Sequence, residues 1–176
     1  VVRMRTRRPG DIKALVALCD ALNAHSGLPT GRLRAAEFRG ALFGKNAFMT
    51  AHIAEAPAPK GAPRMIGYIL SHDSFTTDFG ERGLYVVDLY VAEEWRRSGV
   101  ATRLMAAVAA RAKKRGASHM WWASMPRNLP ARRFYGRLGA TDEAIHSHAI
   151  FGKPFEKLAK RGARRRRSPS ARAGGE

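Results

Sequence analysis

Apolar residues recur at Ile12, Leu15, Val16, Cys19 and Leu22, the three-and-four spacing of one helical face. Residues 10–25 are therefore predicted to form an amphipathic helix, with Pro9 and Gly10 at its entrance and Asp11 close to its first turn. Ahead of it, VVRMRT suits a first strand. Thr30 is placed as the N-cap of a second helix over 31–43, closed by Gly44. AFMTAHIAE and RMIGYILSHD predict two strands separated by the Pro-rich loop APAPKGAP. GLYVVDLYV, residues 83–91, is a third, β-branched and aromatic, apolar enough to lie centrally in a sheet.

The segment from Val100 to Arg115 sets Val100, Leu104, Ala107, Val108 and Arg111 on one face and stops at Gly116. SHMWWASM is predicted as the next strand, Pro126 to Pro130 as an irregular link, and Ala131 to Leu138 as a short helix ending at Gly139. AIHSHAIF alternates enough to form a last strand. A strand, a helix and a returning strand between Leu84 and Ser124 make a βαβ crossover, so the fold class is α/β.

Composition narrows this picture. A chain of 176 residues with 45% apolar content can bury one ordinary core, so a domain over 1–155 and a tail over 156–176 are expected. No apolar run reaches the roughly 18 residues needed to cross a bilayer, and no membrane partner is expected. The basic opening VVRMRTRRPG lacks the apolar segment of a signal peptide, which implies a cytoplasmic location. A single cysteine, Cys19, excludes an internal disulfide or a multi-thiolate metal cluster, and its place on the first helical stripe makes it a core residue.

The formal charge of +18 is unevenly spread. From Lys157 onward there are eight Lys or Arg against one acid, so this stretch carries +7 of the total. Its Gly, Pro and Ser content predicts disorder, and four consecutive arginines could contact a polyanion weakly without reading sequence.

EEWRRSGVATRL, residues 93–104, joins the strand ending at Val91 to the helix that follows. A helix starting near Gly99 leaves its first N–H groups without intrahelical partners, and with the macrodipole these favour a phosphate. Gly99 lets a ligand approach the main chain, and Arg96 and Arg97 add charge; a plain cationic turn has the same composition. NLPARRFYGRLGA, residues 128–140, supplies a second segment, with Asn128 beside a strand end and Phe134 and Tyr135 on a following helix.

Together, RRSGVA and NLPARRFY resemble the acetyl-coenzyme A binding half of the GNAT superfamily of N-acetyltransferases. The earlier segments RTRRPGDIKALVALCDAL, ALFGKNAFMTAHIAEAP and LYVVDLYV are similar to its diamine (spermidine/spermine) N-acetyltransferase branch, over about residues 2–150. The resemblance implies a mixed, mostly antiparallel central sheet flanked by helices, with acetyl-coenzyme A as co-substrate. It also implies that the strand ending at Val91 splays after Leu89, and that Leu89, Tyr90, Val91, Arg96, Arg97, Ser98, Gly99, Val100, Ala101, Thr102, Asn128 and Tyr135 contact the cofactor. A main-chain N–H near Leu89 or Tyr90 would polarise the thioester, and Tyr135 matches the general acid. The enzymes it resembles are commonly homodimers.

An alkylammonium must lose a proton before it attacks. Asp88, Glu93 and Glu94 are the carboxylates near the strand end, and water relay is an equally consistent route. Val87 stands where the polyamine enzymes show a Glu, and Pro126 and Arg127 where they show an acidic-aromatic pair. A polycation needs negative charge in its pocket, so a monoamine, an amino-acid side chain or an amine that also carries a carboxylate fits Arg127 better. His146 and His148 lack a third ligand for a metal site, and none is expected. Trp121 and Trp122 must face opposite sides of their strand. Asp73, Phe75 and Asp78 in the HDSFTTDFGERG loop are candidates for the amine pocket or simply solvated. The leading expectation is an N-acetyltransferase acting on a small-molecule primary amine. The alternative is a polyanion or nucleic-acid binder working through its tail, with the domain as a scaffold or acyl-coenzyme A sensor.

Overall fold

The computed structural model describes residues 1–58 and 60–165. Two compact units are present, Val1–Leu138 and Gly139–Glu176. The first unit holds one sheet in the order β1-β2-β3-β4-β5, built from Arg3–Thr6, Thr50–Ala56, Arg64–Thr76, Glu81–Val91 and His119–Trp121. All neighbours are antiparallel except β4 and β5, which run parallel and are joined through α3, Val100–Lys114. The expected βαβ crossover and the mixed, mostly antiparallel sheet are therefore both present.

Helices cover both faces of the sheet. On one, Leu104, Met105 and Val108 of α3 bury against Ala54, Ile66, Ile69, Leu84, Val86 and Val91. On the other, α1 (Ile12–His25) and α2 (Ala35–Phe43) bury Leu15, Cys19, Phe38 and Leu42 against Ile53, Tyr68 and Leu70. Removing such side chains from water contributes roughly 1.5–3 kcal/mol each, which is what holds the layers together.

The chain enters α1 through a single 3₁₀ turn, Pro9–Asp11. Pro9 is tolerated there because its missing N–H would have no partner in the first turn. Asp11 is buried; both its oxygens accept from the Arg5 guanidinium at 2.7 Å, and Oδ2 also accepts from the Arg8 backbone N–H. Arg5 extends to Glu55 on β2, so a charged triad ties β1, the turn and β2 together.

β4 carries an irregularity that shapes everything after it. Its register with β3 runs Leu84 opposite Asp73 to Val86 opposite Ser71, then resumes with Asp88 opposite Leu70, leaving Val87 as an extra residue. The bulge reverses the parity of the strand. Leu84 and Val86 face α3 before it, and Leu89 and Val91 face α3 after it, while Asp88 and Tyr90 turn to the α1 side. At Gly83 the absence of a Cβ makes room for the His119 ring, which would have to shift for any larger residue.

Several expectations are corrected. α2 begins at Ala35 with Arg34 at its N-cap, because the chain passes Gly31 at φ 71° and is not helical from Thr30. β5 is only three residues long, its ladder ending where Tyr85 meets Trp121. α4 spans Leu129–Arg137 and absorbs part of the link expected to be irregular, with Pro130 in its first turn. AIHSHAIF forms no strand: alternation fits side chains to a pleat, but a ladder exists only when a neighbour takes the backbone groups. The disorder expected from residue 156 is overturned over 156–165, which belong to α5, Gly152–Arg165; helical spacing of Phe155, Leu158, Ala159 and Gly162 lies beneath the charge-rich composition. The remaining tail residues, 166–176, lie outside the described residues. No described helix is long and apolar enough to cross a membrane.

Candidate active site

The parallel ladder between β4 and β5 stops at Tyr85, yet β4 continues to Val91 on the β3 side. From Val86 onward its other edge has no strand partner among the described residues. Alternation decides which amides face that edge. The Ala92 N–H donates to the Ile66 carbonyl at 2.8 Å, so Tyr90–Tyr68 and Asp88–Leu70 are also mutually bonded pairs. Leu89 and Val91 consequently direct their N–H and C=O groups to the open edge, and the Tyr90 amide is committed to β3. The open edge thus begins before Leu89, where the short β5 ends at Trp121.

Beyond Val91 a 3₁₀ turn, Glu93–Trp95, leads into the loop before α3. Arg97 has φ 60°, rare for a residue with a Cβ, and Gly99 follows at φ 80°. Ser98 Oγ donates to the Trp95 carbonyl at 2.6 Å and holds the loop closed. Gly99 is the N-cap of α3, no side chain caps the helix, and nothing lies within 4 Å of where a Gly99 Cβ would be. The first-turn amides of Val100, Ala101 and Thr102 therefore project from the positive end of a 15-residue helix without a side-chain cap. Val100 itself is buried, Ala101 packs on the core, and Thr102 is exposed.

The two arginines differ in duty. Arg96 donates from Nε to the Val91 carbonyl at 3.1 Å and lies over the Tyr90 ring at 5.8 Å, so it braces the end of β4. Arg97 is exposed and held in the loop only by its backbone.

On the α1 side, Asp88 is half-buried with no hydrogen-bond or ion-pair partner among the described residues. Burial alone pushes its carboxyl above the usual range. Its charge in turn helps to raise the Tyr68 hydroxyl and the Cys19 thiol, which burial has already lifted, the latter to about 11. Cys19 is accordingly a buried, inert thiol of the core. Glu93 and Glu94 are exposed; Glu94 pairs with Arg64 at 2.6 Å.

Tyr135 sits on α4, its ring 5.0 Å from Trp122 and 5.3 Å from Phe134, and burial raises its phenol. Trp122 packs toward the α3 core, while Trp121 is half exposed against Tyr85 at 4.6 Å, so the two indoles do face opposite ways. Asn128 is the N-cap of α4, its Oδ1 accepting from the Ala131 N–H at 3.2 Å. Arg127 reaches the Ser26 carbonyl at the end of α1 at 3.4 Å.

Asp73 and Phe75, expected in a loop, lie on β3 instead. Asp73 pairs with Arg115 at 2.6 Å and Phe75 is exposed, both at the end of the sheet opposite Val91. His146 and His148 are exposed, and no group of metal-ligating side chains occurs among the described residues. Sequence reasoning missed the bulge at Val87, the brace from Arg96 and the burial of Asp88. Only the shift of apolar parity between Val86 and Leu89 could have signalled the first, and the apolar run GLYVVDLYV masks it.

Comparison with known proteins adds the family context. The model of the acetyltransferase (GNAT) family matches residues 34–140. Over 167 residues the chain is 29% identical to a thialysine N-epsilon-acetyltransferase of Bos taurus, which spans 90% of this chain and 97% of that relative. A thialysine N-epsilon-acetyltransferase of Sus scrofa is 35% identical over 125 residues, 66% of this chain and 72% of the relative. Among solved structures, an integron cassette protein from the mobile metagenome of V. cholerae shares the fold, with a TM-score of 0.72 at 19% identity over 90% of this chain and 98% of that one.

Proposed function

The chain belongs to the acetyltransferase (GNAT) family and is an N-acetyltransferase, and from that premise we propose that its acceptor is a side-chain amine on a small molecule that also bears a carboxylate. The observation that carries the reading is the open edge of β4 running into the side-chain-free N-terminus of α3. Acetyl-coenzyme A fits these groups. The amides of Gly99 to Thr102 and the Arg97 guanidinium would hold its diphosphate, and the Leu89 and Val91 main chain would bond its extended arm as an added strand does.

The division of labour follows from the bulge. The Leu89 N–H is aimed at the edge and supplies a fixed donor for the oxygen of the thioester as charge develops on it. Asp88, one residue away on the opposite face, takes a proton from the acceptor ammonium; its raised pKa keeps it basic enough for that transfer. Tyr135 gives its proton to the departing thiolate, and burial keeps that proton in place at neutral pH. Glu93, exposed in the turn after β4, is a second carboxylate able to relay a proton through water. Arg127, beside the C-terminal end of α1, pairs with the acceptor carboxylate. The thialysine acetyltransferase relatives support an amino-acid acceptor, as does the absence of a second acid at Val87. Homodimer assembly and a cytoplasmic location are parts of the same proposal, supported by the family resemblance alone.

A panel of amines assayed by free-thiol release from acetyl-coenzyme A tests the acceptor. Lysine-like and thialysine-like amines should be turned over with a kcat/KM at least tenfold above that of spermidine, and Arg127→Ala should erase that preference. Equal or better use of spermidine would refute the carboxylate-bearing acceptor while leaving acetyl transfer intact.

A further inference from the structure

Helix α5, Gly152–Arg165, separates two chemistries around its axis. Phe155, Leu158, Ala159 and Gly162 recur at three- and four-residue intervals on one face, and Phe151 precedes them in the same phase. Phe155 and Leu158 are 56% and 55% exposed. Lys153, Lys157, Lys160 and Arg161 occupy the other face with a single acid, Glu156, and line a shallow depression of about 550 Å³. The sequence continues with four arginines, Arg164 to Arg167.

From this arrangement we propose that α5 is a docking surface for an anionic lipid bilayer, on which it lies flat without crossing it. Two observations select that occupant. A polyanion such as RNA would engage the cationic face and leave Phe155 and Leu158 in water. An apolar groove on another protein would cover those two side chains but give no reason for four cations around them. A bilayer surface rich in phosphatidylserine satisfies both at once: headgroup phosphates and carboxylates meet the Lys and Arg side chains, and the phenyl and isobutyl groups enter the acyl boundary. Lysine stems help, because they can lie along apolar surface while their ammonium groups stay hydrated. At 14 residues the helix is too short to span the hydrocarbon core.

Vesicle sedimentation of the full chain decides the matter. Vesicles of phosphatidylcholine with about one-third phosphatidylserine should carry down the protein roughly tenfold more strongly than pure phosphatidylcholine. The double substitution Phe155→Ser with Leu158→Ser leaves the charge unchanged and should lower that binding by about tenfold, because only the apolar contribution is lost. Unaltered acetyl transfer by the same variant in the absence of vesicles verifies that it folds. A Phe155→Trp variant should gain tryptophan quenching by brominated acyl chains over the parent. The proposal is overturned if the parent ignores anionic vesicles, if the double-serine variant binds them as well as the parent, or if both bind a homopolymeric RNA more tightly than vesicles with no acyl-chain quenching.

Discussion

The indole of Trp122 lies 5.0 Å from the phenol ring of Tyr135, centroid to centroid, at an interplanar angle of 59°. This contact positions the Tyr135 ring through its carbon face and leaves the hydroxyl as the only part a Phe would lack. Tyr135→Phe should therefore keep its packing, with stability changed by no more than about 0.5 kcal/mol. If Tyr135 protonates the leaving thiolate, kcat should fall by roughly 10²–10³ with acetyl-coenzyme A affinity unchanged. Unchanged kcat in a steady-state assay would remove Tyr135 from the chemistry.

If Asp88 is the proposed base, it sets catalysis against stability. Burial raises its pKa in the folded protein, so the native state holds that proton more tightly than the unfolded chain. The stability linked to Asp88 is then greatest at low pH and declines as pH climbs from the ordinary carboxylate value near 3.9 through the raised native one. Asp88→Asn should melt at a higher temperature than the parent at neutral pH, yet turn over at least tenfold more slowly. The acid limb of its kcat/KM profile should also be lost. A lower melting temperature combined with normal turnover would show that Asp88 is a structural group.

Arg97 separates affinity from stability differently. Its left-handed backbone costs about 1–2 kcal/mol, which Arg97→Gly relieves at the expense of roughly 0.5–1 kcal/mol of chain entropy. Stability should barely move. If Arg97 faces the diphosphate as proposed, calorimetric affinity for acetyl-coenzyme A should drop severalfold and its salt dependence should weaken, because one exposed guanidinium is lost.

The layered α/β plan, the crossover and the helix start at Gly99 were legible because each leaves a local mark: apolar periods, a Gly with two arginines, an Asn before Pro. The length of β5, the absence of a strand at Ala144–Phe151 and the open edge of β4 were not, since each depends on what lies beside the strand. Asp88 was visible as a residue and invisible as a buried one; nothing in VVDLYV tells which side of a bulge faces α1. The helix at 152–165 was hidden for another reason, because net charge dominated a stretch whose apolar spacing was regular.

The Arg5–Asp11–Glu55 triad yields a prediction about folding alone. Burial opposes the Asp11 charge, but the bonds from Arg5 and from the Arg8 N–H prevail and hold its carboxyl below the usual range. Its stabilisation is thus complete above the unfolded carboxylate value near 3.9 and is lost as pH falls through the lowered native value. Asp11→Ala should cost about 3 kcal/mol at neutral pH in denaturant unfolding, and the gap to the parent should close in acid. A loss below about 0.5 kcal/mol, the range of an ordinary surface change, would mean that the triad contributes nothing net.

In the proposed mechanism, one surplus residue at Val87 turns the peptide groups of Leu89 and Val91 toward the donor and the Asp88 and Tyr90 side chains toward the α1 side, where the acceptor is proposed to bind, so the two halves of the reaction can be altered separately. Exchanging the loop around Ser26 would then retune which amine is chosen without touching the strand edge proposed to hold the thioester. Shortening the strand by that one residue would instead dismantle both at once.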